Sequence, residues 1–167
     1  MRTDQPVTVR RLDYTPPDHL VDTIDLRFEL DPQRTVVVAT LAVRRREGAP
    51  AAAPLRLDGE ALELLSAEID GAPVSPSRLH ATSEGLTIDA PPASFVLVTR
   101  VAIAPASNTE LMGLYVSNGN FFTQCEAQGF RRITYFPDRP DVMARYTVEL
   151  VADRARGPVL LSNGNLV

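Results

Sequence analysis

The sequence predicts an all-β fold, a mainly antiparallel saddle-like sheet or β-sandwich carrying at most one or two short helical turns. Three observations lead there. Apolar residues recur with a period of two, dipeptides that favour tight hairpins punctuate the chain, and amphipathic helical patterns are scarce.

The first element is "TIDLRFELD", in which Ile24, Leu26, Phe28 and Leu30 share one face while Asp25, Arg27 and Glu29 share the other. Side chains of a strand alternate between faces, so one face is expected to be buried and the other solvated. A short "DPQR" turn containing Pro32 leads into "TVVVATLAV" at 35–43, and the two segments are expected to form a hairpin. Further strands follow at 55–57, 62–70, 86–89 and 95–103. Asp58-Gly59, Asp70-Gly71, Asn118-Gly119 and Asn163-Gly164 supply residues that tolerate positive φ, as tight hairpins demand. The best helical candidate is "DRPDVMARY", where Asp138 could cap and Pro140 could occupy an early helical position before the strand "YTVELVADR". The chain then passes the hairpin signal at Asn163-Gly164 and stops, which is expected of a segment of a longer protein.

At 167 residues without a linker, repeat or low-complexity tract, positions 1–167 are expected to form a single β-rich domain. Net charge is -4, which disfavours nucleic acid and anionic membrane as partners, because both select a basic footprint. The one basic run, Arg44 to Arg46, reads as a solvated strand end. The start has no signal-peptide h-region and no run is long enough to span a membrane. A single cysteine, Cys125, cannot form an internal disulfide, so a cytoplasmic location is expected.

Catalytic options within the chain are few. The two histidines, His19 and His80, have no partner at metal-ligand spacing, and no glycine-rich phosphate loop or serine-hydrolase elbow is present. Nothing places a histidine beside Cys125, which reads as a small buried thiol more than as a nucleophile.

The unusual stretch is "FFTQCEAQGFRRITYFPDRPD", residues 121–141. If it is extended, Gln124 and Glu126 share a face and Cys125 points to the other. An amide carbonyl and a carboxylate together form an acceptor pair suited to an α-ammonium, which offers three donors and is largely protonated at neutral pH. The residues alone leave a second reading open, in which Glu126 pairs at the surface with Arg131 or Arg132.

"TQCEAQGFRRITYFPDRPDVMARYTVEL", the opening "RLDYTPPDHLVDTIDLRFELDPQRTVVVATLAVRR" and "LLSNGN" strongly resemble the N-terminal domain of the bacterial aminopeptidase N family, zinc metallopeptidases of the gluzincin type. The resemblance spans nearly the whole chain. It implies a much longer hydrolase that removes N-terminal residues from peptides with a free N-terminus. The zinc cofactor and the catalytic base would belong to a following domain, this chain's partner in cis, and this chain would bind no metal and be inactive alone. The family's pattern assigns Gln124 and Glu126 to substrate binding: Glu126 to the terminal ammonium, Gln124 to the pocket for the first side chain. Cys125, Ala127, Gly129 and Tyr135 are expected to support that loop. Gly129 is expected to allow a backbone conformation that a bulkier residue resists, while Phe130, Ile133, Tyr135 and Phe136 anchor the loop apolarly. Asp138 and Arg139 read as a turn cap and a structural ion pair, and the resemblance implies a cis peptide at Glu126-Ala127. The rival reading is a non-catalytic β-sandwich interaction or scaffold module. A cysteine-dependent enzyme built on Cys125 ranks behind both, for want of a base.

Overall fold

The computed structural model describes residues 10–155, 157 and 159–166. Eleven strands are formed among them: β1 (His19–Glu29), β2 (Thr35–Arg45), β3 (Leu55–Asp58), β4 (Glu63–Ile69), β5 (Ala72–Pro73), β6 (Leu79–Ala81), β7 (Gly85–Ile88), β8 (Ser94–Ile103), β9 (Gly113–Ser117), β10 (Asn120–Gln124) and β11 (Arg145–Val151). They assemble into a six-stranded sheet of order β11-β1-β2-β8-β4-β5, a three-stranded sheet of order β3-β7-β6, and the hairpin β9-β10. No described helix is long and apolar enough to cross a membrane.

The two-residue period explains the core. On β1, Ile24, Leu26 and Phe28 are buried; on β2 the buried set is Thr35, Val37, Ala39, Leu41 and Val43; on β8 it includes Phe95, Leu97, Thr99 and Val101. Leu55 and Leu57 of β3 and Leu86 and Ile88 of β7 join the same hydrophobic cluster, so the large sheet and the small one share one core. Removing each such side chain from water contributes about 1.5–3 kcal/mol. The expected hairpin forms, with Leu26 opposite Ala39 and Phe28 opposite Val37. Its Asp31 turn is fixed locally, Oδ1 accepting the amides of Gln33 at 2.8 Å and Arg34 at 3.1 Å.

Several local expectations need correction. Asp70-Gly71 and Asn118-Gly119 do carry paired positive φ values, in the β4-β5 and β9-β10 turns. Asp58-Gly59 is no hairpin turn, because Gly59 avoids the left-handed region. What Gly59 provides is space: a Cβ there would lie 2.3 Å from Cε1 of Tyr135. Asn163-Gly164 is a bend with no strand on either side among the described residues. The helical turns expected after Asp138 are absent; Pro140 and Asp141 form a simple turn, with the Val142 amide donating to the Arg139 carbonyl at 3.1 Å. Helical backbone instead occurs as four single 3-10 turns among the described residues, at Arg11–Asp13, Pro76–Arg78, Pro105–Ser107 and Phe130–Arg132. β11 lies parallel to β1, with Leu26 beside Val148, in an otherwise antiparallel sheet.

One buried polar atom has a pH consequence. His19 is buried at the start of β1, edge-on to Phe95, and its Nε2 has no hydrogen-bond partner. Burial pushes its pKa down; Asp18 opposes that and Arg45 adds to it. A depressed folded-state pKa means that the unfolded chain takes up the proton first. The neutral form's contribution is therefore intact above a pH of about 6.5 and is lost progressively as the pH falls from there toward the lower folded-state value. Urea-unfolding midpoints are expected to hold above a pH of about 6.5 and to decline below it, and His19→Phe is expected to flatten that decline; an unchanged slope assigns the acid sensitivity to another group.

Candidate functional site

The 121–141 stretch begins as β10, paired antiparallel with β9, Thr123 opposite Leu114 and Gln124 opposite Gly113. The strand ends at Gln124, and residues 126–129 form a run of turns leading into the 3-10 turn Phe130–Arg132. Strand alternation therefore does not place Gln124 and Glu126 on a common face. They are brought together by a local hydrogen bond, Gln124 Nε2 donating to the Glu126 carbonyl at 3.0 Å. Glu126-Ala127 is a cis peptide, as the resemblance implies, and the chain leaves the turn through Gln128 at φ 70°. Glu126, Ala127 and Gln128 are all exposed.

Both arginines that could have neutralised Glu126 are engaged elsewhere. The Arg131 Nε donates to Asp138 Oδ2 at 3.0 Å and its Nη1 lies 3.8 Å from Asp58 Oδ1. Arg132 donates through Nη2 to Oε1 of Glu60. The Glu126 carboxylate accordingly has no hydrogen bond or ion pair with the described residues. Arg132 also borders a cleft of about 320 Å³ lined by Ala61, Ile103, Asn108, Glu110 and Leu114, to which Gln124 and Glu126 do not belong. The acceptor pair therefore stands at a surface, outside that cleft.

Of the supporting residues, Gly129 acts differently from expectation. Gly129 has φ −90° and ψ −16°, a conformation open to any residue, so backbone freedom is not its role. A Cβ at Gly129 would lie 2.4 Å from the Gln124 carbonyl oxygen and 2.8 Å from Cys125 Cα, so the turn closes onto the end of β10 only because that atom is missing. Its amide donates to the Cys125 carbonyl at 2.8 Å. Cys125 is half-buried against the core, and burial pushes its thiol pKa up, with the negative charge of Asp138 adding to the effect. That is the opposite of what an activated nucleophile requires. Tyr135 is 1% exposed, and burial raises its phenol pKa; it belongs to the hydrophobic core, its ring against Gly59. Phe130 meets Phe136 edge-on, centroids 5.2 Å apart, as apolar anchoring requires.

Asp138 and Arg139 do not pair with each other. Asp138 takes Arg131, while Arg139 binds Asp141 through Nη2 at 2.7 Å and the Thr15 carbonyl at 2.9 Å. Sequence reasoning missed Asp58 and Glu60, the remote carboxylates of this arrangement. The only signal for them was the adjacent arginine pair itself, which calls for counter-charges without saying where they lie. Among the described residues, no group of three or more His, Cys, Asp or Glu could hold a metal ion.

The profile of the family described as Peptidase M1 N-terminal domain matches residues 23–167. The chain is 53% identical over 167 residues to Aminopeptidase N of Caulobacter vibrioides, covering all of this chain and 19% of that protein. It is 48% identical over 166 residues to Aminopeptidase N of Escherichia coli, covering 99% of this chain and 18% of the relative. Among solved structures, Legionella pneumophila aminopeptidase A in complex with aspartic acid matches with TM-score 0.85 and 32% identity over 93% of this chain and 18% of that one. A Deinococcus radiodurans M1 zinc metallopeptidase variant bound to a Tyr-Ser-Ala substrate shares the fold, with TM-score 0.66 and 22% identity over 81% of this chain and 33% of that one. The chain thus spans less than a fifth of the length of these curated relatives.

Gly129→Ala is expected to destabilise the protein by about 1–3 kcal/mol, because the atoms in the way are backbone and yield only if the turn moves. Urea denaturation of the variant beside the parent measures this; an equal midpoint shows that the turn opens without cost.

Proposed function

Since the chain belongs to the peptidase M1 N-terminal domain family, we propose that it is the substrate-recognition part of a zinc-dependent aminopeptidase, a hydrolase that releases N-terminal amino acids from peptides. The observation that carries this reading is the Glu126 carboxylate. It is exposed, unpaired among the described residues, and tied by its own backbone to Gln124, while Arg131 and Arg132 are committed to other acids.

An anion left without a counter-charge, while the two nearest arginines in sequence are paired elsewhere, is poised for a cation from outside. A peptide's terminal ammonium supplies three donors, and its positive charge distinguishes a chain end from an internal amide. In this reading the remainder of the parent protein covers the pair in cis and removes it from water. A substrate lacking the ammonium then leaves a desolvated carboxylate unpaired, which disfavours its binding. The Gln124 amide, held by the Glu126 carbonyl, would form one wall of the pocket for the first side chain.

The described residues do not fit zinc, so no step through the metal is assigned to this chain. Zinc, its ligands and the catalytic base are placed by this reading in the rest of the parent protein, where a metal would activate water and polarise the peptide carbonyl. The same reading makes 1–167 one domain without activity of its own. It places the protein in the cytoplasm, on the lone Cys125 with no disulfide partner, and assigns it no nucleic-acid or membrane partner, on the net charge of -4.

Glu126→Ala in the full-length protein is expected to lower kcat/KM on an aminoacyl anilide by about 10- to 1000-fold, the loss that comes from breaking one half of a desolvated pair. Parent efficiency in that variant would overturn the role of Glu126. A zinc chelator is expected to abolish cleavage by the full-length protein, and residues 1–167 alone are expected to show none. A full-length protein that cleaves nothing would favour an interaction module.

A further inference from the structure

We propose that Arg131, held between Asp58 and Asp138, is the positioning residue of the Glu126 turn, so that the fit of the acceptor pair to a substrate ammonium depends on this one guanidinium. The inference rests on the role of Glu126 proposed above and names the device that sets its place.

The turn has little to hold it from the side. Glu126, Ala127 and Gln128 are exposed, and the local bonds are Gln124 Nε2 to the Glu126 carbonyl and the Gly129 amide to the Cys125 carbonyl. Its position is therefore set from its two ends, by β10, which stops at Gln124, and by the adjoining 3-10 segment, Phe130–Arg132. The Arg132 amide donates to the Gly129 carbonyl at 3.1 Å and the Ile133 amide to the Phe130 carbonyl at 2.9 Å, so the turn and that segment are one continuous coil of backbone.

The coil is fastened to the body of the protein through Arg131. Its backbone amide donates to Asp138 Oδ2 at 3.2 Å, its Nε to the same oxygen at 3.0 Å, and its Nη2 to the Asp138 carbonyl at 3.0 Å. Its carbonyl accepts the Glu60 amide at 2.9 Å. Asp138 is in turn fixed by its amide, which donates to Asp58 Oδ2 at 2.8 Å. Asp58 is the last residue of β3, and it exchanges backbone hydrogen bonds with Phe136 at 2.8 and 3.1 Å. A path of named bonds thus leads from Glu126 to a core strand, and one side chain on it bridges three backbone segments.

The charge arithmetic makes that side chain hard to replace. Arg131 is the guanidinium that bonds to Asp138 and pairs with Asp58, while Arg139, bound to Asp141, reaches Asp58 only through its field; the side chains of Arg131, Asp138 and Asp58 are 21%, 16% and 36% exposed. Without the guanidinium two partly desolvated acids repel each other across the joint that aligns the turn. A lysine keeps the charge but lacks the planar fork that serves a carboxylate and a carbonyl at once. The field of this cluster also reaches the turn, since the Asp138 charge contributes to the raised thiol pKa of Cys125, the residue before Glu126.

The test is a double-mutant cycle in the full-length protein, with kcat/KM on an aminoacyl anilide as readout. Arg131→Met is expected to lower kcat/KM about 10- to 100-fold when Glu126 is present, the scale of a misplacement near 1 Å. In a Glu126→Ala background the same change is expected to cost less than about threefold, because a residue acting through Glu126 has nothing left to position. Arg131→Lys is expected to fall between parent and Met in the Glu126 background. Equal losses in both backgrounds would show that Arg131 serves general stability and would overturn the proposal, as would a silent Arg131→Met beside a damaging Glu126→Ala. A silent Glu126→Ala would remove the reading on which the proposal rests, and with it the proposal. If the Met variant does not fold, Asp138→Asn replaces it in the same cycle with the same expectations.

Discussion

The alternation of buried and exposed side chains along β2 is the constraint on which the rest of the structure depends. β2 is hydrogen-bonded on both edges, to β1 and to β8, and every second residue from Thr35 to Val43 is buried. A shift of one residue in either pairing would turn that set toward water, so the register is fixed by burial. The three-stranded sheet adds Leu55, Leu57, Leu86 and Ile88 to the same cluster, which immobilises β3. Because β3 ends at Asp58, the end of a core strand is also the anchor for the loop that carries Gln124 and Glu126. The apolar core thereby determines where polar groups are presented far later in the chain.

Glycine acts twice around this loop as an absent atom. Gly59 makes room for the ring of Tyr135, and Gly129 lets the turn close on Gln124 and Cys125, neither with a left-handed φ. Gly113 combines both demands, with φ 73° and a would-be Cβ 2.7 Å from Cβ of Arg132. The Tyr135 ring, the turn and the facing hairpin strand therefore each meet a neighbour at a glycine. Close backbone approach of this kind shapes the exposed turn at 126–128, while Ile133, Tyr135 and Phe136 hold the rest of the loop in the core.

The fold was legible in the sequence wherever one strand face meets the core, because a two-residue period is a direct imprint of burial; Ile24, Leu26 and Phe28 are the clearest case. Legibility failed where distant partners decide. The parallel pairing of β11 with β1 has no local signature, and Asp138, readable as a helix cap, has its carboxylate taken by Arg131 and its amide by Asp58. In the candidate site, the residue types Gln124 and Glu126 stood out, but the geometry joining them did not. The strand stops at Gln124, and an amide-to-carbonyl bond joins the pair where alternation was expected to do so. Asp58 and Glu60 were invisible for the same reason, since seventy-odd residues separate them from the arginines they neutralise.

The parallel β1-β11 pairing has a consequence for how the protein is made. β1 ends at Glu29 and its outer neighbour begins at Arg145, so one edge of the large sheet waits for a strand synthesised long after it. At about 5–20 residues per second, the interval is roughly 6–23 s. During that time β1 presents a row of unpaired amides and carbonyls while its inner edge and the β2-β8 pairing are already free to form. The solvent-facing charges of β1, Asp22, Asp25, Arg27 and Glu29, lie along this waiting strand. They would discourage a second nascent chain from adding its own strand there, so the same alternation that builds the core also guards the growing sheet against pairing with the wrong partner.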